Sequence, residues 1–234
     1  KFILMKFNLY FGPVREEVHK KNLSMIHISS DSEDSFVKLC EKNLSKDSME
    51  EVFSAMIYSK SIDITDKNHA SNDAYFVHAL RVAKHTLCSL VEPDVELVKT
   101  ALIHNVFEIS GISRNELIES GFSDFTADAI DIQTVDRNRQ FNDDYLEVYY
   151  KNIKDFGPRL MLLRCLDKLD NLQAFQLIPE GDLRTNWLKN TKDYILPMAK
   201  EIDKVFGDYF LETLEYMVSV GCDENLRIQY EKNK

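Results

Sequence analysis

The sequence predicts an all-α, bundle-like fold for this chain of 234 residues. Glycine and proline are rare, with 7 and 5 residues, so few positions interrupt regular structure and long helices are expected. Apolar residues recur at helical spacing almost throughout, and the alternation of strands and helices that is typical of α/β proteins is absent. Together these observations favour a helical bundle.

Polar capping residues and helix breakers divide the first half of the chain. A polar segment, 29–35, leads into the first helix, and Ser45 or Asp47 caps the second. Asp73 caps a helix that stops before Pro93, and Asp94 opens the next one. The predicted helices are therefore 34–44, 45–61, 73–90 and 94–108, with a loop at 62–72.

The second half follows the same logic. Ser113 and Glu116 have the spacing of a capping box, and Gly157 followed by Pro158 breaks the pattern between two helices. Pro197 predicts a bend in a long helix. The predicted helices are 113–119, 124–134, 143–155, 159–177, 182–206 and 208–220, with a charged loop at 135–142.

The predicted organisation is one helical domain over 46–234, preceded by an extension of uncertain structure over 1–45. The apolar start at 1–13 has a faint likeness to a signal peptide, but Lys6 and Asn8 interrupt it and no small-residue cleavage site follows. An amphipathic strand, or residues foreign to the natural chain, are the other interpretations. No apolar run reaches the length of about 18 residues that predicts a membrane-spanning helix.

Charge and cysteine usage narrow the class of partner. Lys and Arg number 29 against 39 Asp and Glu, a net charge of -10, which disfavours a nucleic-acid or anionic-membrane partner. A local basic pocket for a small anionic ligand stays open. The four cysteines form no CxxC pair, and we interpret them as reduced core thiols of a cytoplasmic protein.

One helix carries an unusual polar face. His104, Asn105 and Glu108 stand at i, i+1 and i+4 in the helix predicted over 94–108, and apolar residues cover its other sides. A helix that is apolar nearly all round is buried, so these polar groups need partners.

Two other helices supply partners. His78 shares a helix face with apolar residues, while Arg164, Asp167 and Asn171 stand at i, i+3 and i+7 among leucines. Imidazole and carboxylate together suit Mn²⁺, Fe²⁺ or Zn²⁺, and such an ion activates water for attack on a phosphate ester. The alternative is a structural one, in which the histidines are hydrogen-bonded core residues and Asp167 belongs to an ion pair.

Three segments resemble, in order and spacing, the motifs of the HD-domain superfamily of metal-dependent phosphohydrolases. Within it they look most like the SpoT-type guanosine tetraphosphate hydrolases and their small stand-alone homologues. The segments are YFVHA at 75–79, ALIHNVFEI at 101–109 and RCLDKLDNL at 164–172. The resemblance covers about 50–200 and implies an HD-like helical bundle.

The resemblance also implies a set of site residues and their roles. A divalent metal, foremost Mn²⁺ and otherwise Fe²⁺ or Zn²⁺, would be the cofactor, and a nucleotide or other small phosphorylated molecule the ligand. The implied metal ligands are His78, His104, Asn105 and Asp167; the catalytic residues are Glu108, near the attacking water, and Asn105; the substrate-binding residues are Arg164, Lys168 and Asn171.

The chain departs from the family pattern in three places. Asn105 replaces the defining Asp, Ile109 replaces an acid, and the loop at 63–72 has one Lys and two Asp where the family is basic. Two hypotheses follow: a phosphohydrolase with altered or weakened activity, or an inactive module that binds a ligand or protein partner and lacks the metal. A two-iron oxygenase is disfavoured because the extra carboxylates are not evident, and pairing of the apolar helices between two copies stays open.

Overall fold

The computed structural model describes residues 29–64, 72–225 and 227–228. Within these ranges it contains helices and no strand, so the predicted all-α class is confirmed. The helices are α1 Ser29–Asn43, α2 Lys46–Ser61, α3 Asn72–Ser89, α4 Val95–Leu102, α5 Val106–Ile109, α6 Arg114–Glu119, α7 Asp124–Gln133, α8 Asp143–Phe156, α9 Pro158–Gln173, α10 Asp182–Asn190, α11 Leu196–Ile202 and α12 Lys204–Val220. A 3₁₀ turn at Phe175–Leu177 follows α9, and a π turn at Thr191–Ile195 joins α10 to α11.

Side-chain caps begin several helices where the sequence predicts them. The Ser45 hydroxyl accepts a hydrogen bond from the Ser48 amide, and Asp94 accepts one from the Leu97 amide. Ser113 and Glu116 form the complete capping box. Each cap satisfies an amide that the first helical turn leaves without a partner.

The helix predicted over 94–108 is interrupted at residues 103–105, between α4 and α5. The amides of Ile103, Val106 and Glu108 bond to carbonyls three residues back, which is tighter than α-helical spacing. The His104 carbonyl instead accepts a hydrogen bond of 2.8 Å from the Gln133 side chain on α7. Neither glycine nor proline marks this break, so the prediction of one continuous helix was wrong for a reason that only tertiary contacts supply.

The helix predicted over 182–206 is also divided. The π turn stands just before Pro197, whose missing amide N–H cannot support regular α-helical bonding. The helix then ends at Ile202, and Asp203 caps α12 by accepting a hydrogen bond of 2.9 Å from the Phe206 amide. The predicted start of the last helix at Asp208 was therefore four residues late.

Helix α9 occupies the centre of the molecule. Gly157, with a φ of 120° that favours glycine, ends α8, and Pro158 starts α9 in the first-turn position that tolerates proline. Most side chains of α9 are buried, and it packs against α3, α4, α8, α11 and α12. The helix that carries Asp167 is thus held on all sides.

Helix α1 packs against α3 and belongs to the core. Its Phe36 and Cys40 side chains are fully buried. The folded bundle therefore includes residues within the segment 1–45 that the sequence analysis set apart as an extension. Residues 1–28, to which the signal-like and strand interpretations apply, lie outside the described residues, as does most of the loop predicted at 62–72.

The cysteines carry free thiols, as predicted. Cys40 and Cys165 are buried, but Cys88 is exposed and Cys222 lies beyond the end of α12, so the expected core position is wrong for these two. Among the described residues, no helix combines the length and apolar character needed to cross a membrane.

Replacing Phe36 with Ala tests whether α1 is part of the cooperative core. We expect the free energy of unfolding to fall by about 3–5 kcal/mol, because a fully buried aromatic ring is lost and a cavity remains. Urea unfolding of Phe36→Ala measures this, with Val91→Ala, at an exposed position, as the control. An unchanged midpoint would show that α1 does not contribute to the stability of the bundle.

Candidate metal centre and its cavity

Three side chains from separate parts of the fold meet at one point. His78 comes from α3, His104 from the break between α4 and α5, and Asp167 from α9. The His78 Nε2 atom lies 3.2 Å from His104 Nε2 and 3.3 Å from Asp167 Oδ1, and His104 Nε2 lies 3.5 Å from the same oxygen. His104 and Asp167 are buried, and His78 is nearly so.

The other nitrogen of each imidazole is already engaged. His104 Nδ1 lies 2.7 Å from the Ala101 carbonyl oxygen, and His78 Nδ1 lies 2.7 Å from Asp170 Oδ2. Both partners only accept hydrogen bonds, so both Nδ1 atoms carry the protons. In the neutral tautomers, the two Nε2 lone pairs therefore face each other and the Asp167 carboxylate.

This arrangement requires a cation at its centre. Three lone-pair atoms held this closely repel one another unless a proton or a metal ion lies between them. Two atoms that bind one ion at about 2.1 Å, at angles of about 90 to 109°, lie about 3.0 to 3.4 Å apart. Two of the observed separations, 3.2 and 3.3 Å, fall within this range, and the third, 3.5 Å, lies just above it. The cluster His78, His104 and Asp167 can hold a metal ion.

Asp167 is kept ionised by the groups around it. Its Oδ1 accepts a hydrogen bond of 2.8 Å from Asn171, and its Oδ2 accepts one of 3.0 Å from Arg164. Burial alone would raise the pKa of the Asp167 carboxyl, but the charge of Lys168 and the bonds from the two imidazoles hold that pKa well below its usual range. Lys168 is affected in turn, since burial and the charge of Arg164 lower its pKa to about 8.

Asp170 and Arg81 orient His78 from behind. The Arg81 guanidinium donates two hydrogen bonds to the buried Asp170 carboxylate, one of 2.7 Å to Oδ1 and one of 2.8 Å to Oδ2. The Oδ2 atom also accepts the hydrogen bond from His78 Nδ1. A carboxylate on the far nitrogen of an imidazole fixes the tautomer and strengthens the facing nitrogen as a ligand. Asp170 and Arg81 therefore hold His78 in the orientation that a metal ligand needs.

A cavity of about 350 Å³ opens above the cluster. Acids outnumber bases in the chain as a whole, whereas the charged side chains that line this cavity in the described part of the chain are four cations and three carboxylates. Among the described residues that line it, the cations are Arg81, Arg137, Arg164 and Lys168, the carboxylates are Glu108, Asp167 and Asp170, and the aromatic side chains are Tyr75, Phe141, Tyr149, Tyr150 and Trp187. Each of these carboxylates is paired with one or more of the cations, so the lining keeps a small excess of positive charge for an anionic ligand.

The remaining predicted site residues also line this cavity: Asn105, Glu108, Arg164, Lys168 and Asn171. Asn105 stands in the break beside His104. Glu108 is engaged with the loop at 135–142, since its Oε1 accepts from the Val135 amide at 3.1 Å and its Oε2 from Arg137 at 2.7 Å. Their catalytic and substrate-binding roles stay predictions.

Sequence reasoning gave no role to several residues that shape this site. Arg81 stands three residues after His78, and Asp170 three after Asp167, so helical spacing could have pointed to both. Arg137 comes from an aperiodic loop, and Tyr150 and Asn190 from α8 and α10. No local sequence pattern predicts that these three residues line the cavity, because the packing of elements distant in sequence brings them there.

Replacing Asp170 with Asn tests its support of His78. The amide keeps the shape of the carboxylate but loses its charge, so the affinity of the chelator-treated protein for Mn²⁺ should fall about 10–100-fold. Titration calorimetry measures the affinity, and Asp128→Asn, which alters an ion pair with Arg114 away from the cluster, is the matched control. Equal affinities for wild type and Asp170→Asn would contradict the role assigned to Asp170.

In the metal-free protein, the protonation of His78 should change at a pH well above that of an ordinary histidine. Burial alone would lower the pKa of His78, but hydrogen bonds to Asp167 and Asp170 outweigh burial and raise it to about 9. Because the folded pKa is raised, this proton stabilises the fold below the unfolded pKa of about 6.5. That stabilisation is lost as the pH rises through about 9.

A metal ion must displace this proton. Below about pH 9, metal affinity should therefore increase about tenfold for each unit by which the pH is raised, and above that pH it should level off. Ring-proton NMR of chelator-treated protein measures the titration, and His78→Gln identifies the resonance. A His78 resonance that titrates near pH 6.5 would contradict the proposed hydrogen bonds.

Comparisons with known proteins add no assignment. The chain matches no family model and no curated protein. The resemblance of the three segments to the HD-domain superfamily therefore stays a prediction, while the capacity to hold a metal ion rests on the geometry of His78, His104 and Asp167.

Proposed function

We propose that this chain is a metal-dependent phosphohydrolase that acts on a nucleotide or another small phosphoester. One observation carries the proposal: three facing ligand atoms, 3.2 to 3.5 Å apart, lie beside a cavity whose lining includes four cationic side chains. A phosphate ester is the ligand that needs both features, since cations bind its oxygens and a metal ion assists its hydrolysis.

The ion would be held by His78, His104 and Asp167, with Asn105 as a weak fourth ligand. Mn²⁺ is our first choice and Fe²⁺ or Zn²⁺ the alternatives, because mixed imidazole and carboxylate donors suit all three. When bound, such an ion lowers the pKa of a coordinated water and polarises a phosphoryl oxygen. The family resemblance of the three segments supports this assignment.

The protein side chains bind and orient the ester. Lys168, with its pKa of about 8, is mostly protonated at neutral pH and faces the cavity beside Asp167, where it would bind a phosphate oxygen. Arg137 would bind a second oxygen at the mouth of the cavity. Glu108 would accept a proton from the attacking water. Because both Glu108 oxygens are engaged, it would have to release the Arg137 or Val135 hydrogen bond to do so.

A binding module without turnover is the second candidate. Ile109, which stands where the family has an acid, is 1% exposed and packs into the core, so no second carboxylate follows Glu108 into the cavity. Asn105 is neutral and a weaker ligand than a carboxylate. A chain with these features would keep the cavity and its ligand while losing the reaction.

Replacing Asn105 with Asp separates the two candidates. In the hydrolase, the added carboxylate should tighten Mn²⁺ binding about tenfold or more and raise the rate of phosphate release from nucleotides and small phosphoesters. Metal content is measured on wild type, Asn105→Asp and His104→Ala, and phosphate release on the same samples. Asn115→Asp adds the same charge on the exposed surface of α6 and is the control.

The hydrolase proposal predicts about one equivalent of metal in wild type, little in His104→Ala, and the highest activity in Asn105→Asp. Wild-type protein that takes up no Mn²⁺, together with an Asn105→Asp variant that neither binds metal nor releases phosphate, would favour the binding module.

A further inference from the structure

The cavity extends beyond the metal cluster to the junction of α10 and the π turn. Tyr150, Trp187, Asn190 and Thr191 line this second end. The Tyr150 ring is fixed by stacking on Tyr194, with centroids 4.7 Å apart and planes inclined by 12°. None of these residues belongs to the cluster or to the three segments that resemble the phosphohydrolase family.

Arg164 and Tyr150 connect the two ends. Arg164 donates a hydrogen bond of 3.0 Å to Asp167, and its positive charge also acts on Tyr150, where it opposes the rise in the Tyr150 pKa that burial causes. A guanidinium group has no acceptor, so the Tyr150 hydroxyl cannot donate its proton to Arg164. The Tyr150 side chain is buried, and its hydroxyl proton therefore needs an acceptor, which the Asn190 Oδ1 atom supplies at 2.7 Å.

This direction fixes the orientation of the Asn190 amide. Because the carbonyl oxygen is turned to Tyr150, the NH₂ group is turned away from it, and Asn190 is a half-buried residue that lines the cavity. Within the described part of the chain, no hydrogen-bond partner takes this NH₂ group. The buried Arg164 Nε atom, on another lining residue, likewise has no hydrogen-bond partner among the described residues. The Asn190 NH₂ group is therefore left for a ligand, and the shielded Arg164 Nε–H is a second donor that the described residues leave unpaired.

We propose that Arg164, Tyr150 and Asn190 form a donor-only subsite that selects a ligand group with hydrogen-bond acceptors and no N–H, namely a carbonyl or phosphoryl oxygen. The proposal rests on the proposed function, since the same ligand would place its scissile phosphate at the cluster. An amino group of a ligand at this end would place its N–H groups against the N–H donors of the protein. The donors would then have no acceptor, which lowers the affinity strongly in a half-buried site. Tyr150 is the positioning residue, because it prevents the amide from turning over.

Binding of three probes tests the subsite on the full chain with Mn²⁺. Inosine 5′-monophosphate carries a carbonyl oxygen where adenosine 5′-monophosphate carries an amino group, and pyrophosphate has no base. Titration calorimetry compares wild type with Asn190→Ala and Tyr150→Phe. Asn152→Ala, at an exposed position of α8, is the matched control.

A carbonyl ligand predicts that wild type binds the inosine nucleotide about tenfold more tightly than the adenosine nucleotide. Asn190→Ala should remove this preference, and Tyr150→Phe should reduce it, because the freed amide can present either face. A phosphoryl ligand predicts instead that Asn190→Ala weakens pyrophosphate alone, because it is the only one of the three probes with a second phosphoryl group beyond the one at the cluster. Either result supports a donor-only subsite and identifies the group that it binds.

If Asn190→Ala binds all three probes as tightly as wild type does, the proposed subsite is wrong. A tighter adenosine nucleotide in wild type would contradict the selection of a carbonyl oxygen. Phosphate release from the same samples keeps the two proposals apart: selective binding without release contradicts the hydrolase alone, release without any dependence on Asn190 contradicts the subsite alone, and no binding of any probe contradicts both.

Discussion

The close approach of two imidazole nitrogens and one carboxylate oxygen is the constraint on which the site depends. Atoms with facing lone pairs, 3.2 to 3.5 Å apart and largely shielded from water, are stable together only around a positive charge. The Ala101 carbonyl and Asp170 hold the protons of His104 and His78 on the opposite ring nitrogens. These two hydrogen bonds hold both imidazoles with Nε2 towards Asp167, whether a proton or a metal ion lies between the three atoms.

Charge is distributed unevenly in this molecule. The chain as a whole is acidic, yet the charged residues around the cavity include more cations than carboxylates. Buried cations are costly without partners, and here Asp167 and Asp170 supply partners to Arg164 and Arg81. The same carboxylates serve the histidines. The pairs therefore orient the cluster, and both of their carboxylates belong to the central helix α9.

The two ends of the cavity differ in chemistry. The cluster end presents lone pairs and cations, whereas the end near α10 presents hydrogen-bond donors set among aromatic rings. Arg164 connects them because it donates a hydrogen bond to Asp167 and its positive charge also acts on Tyr150. A ligand that fills both ends would need an anionic group and, some distance away, an acceptor oxygen, which is a stricter requirement than a metal site alone imposes.

The sequence by itself determined the all-α class, most helix starts and the candidate cluster residues. Helical periodicity and capping side chains such as Ser113 act over a few residues, so they can be interpreted without the fold. His104 and Asp167 could be singled out because polar residues in apolar helices must find partners.

Only the tertiary structure decided how those partners are arranged. The break at 103–105 depends on a hydrogen bond from Gln133, and the end of α10 and the start of α11 are set by a π turn where the sequence predicted a bend near Pro197. Arg137, Tyr150 and Asn190 reach the cavity from elements distant in sequence. Their roles come from packing and from the direction of hydrogen bonds, and both are properties of neighbours in space rather than of neighbours along the chain.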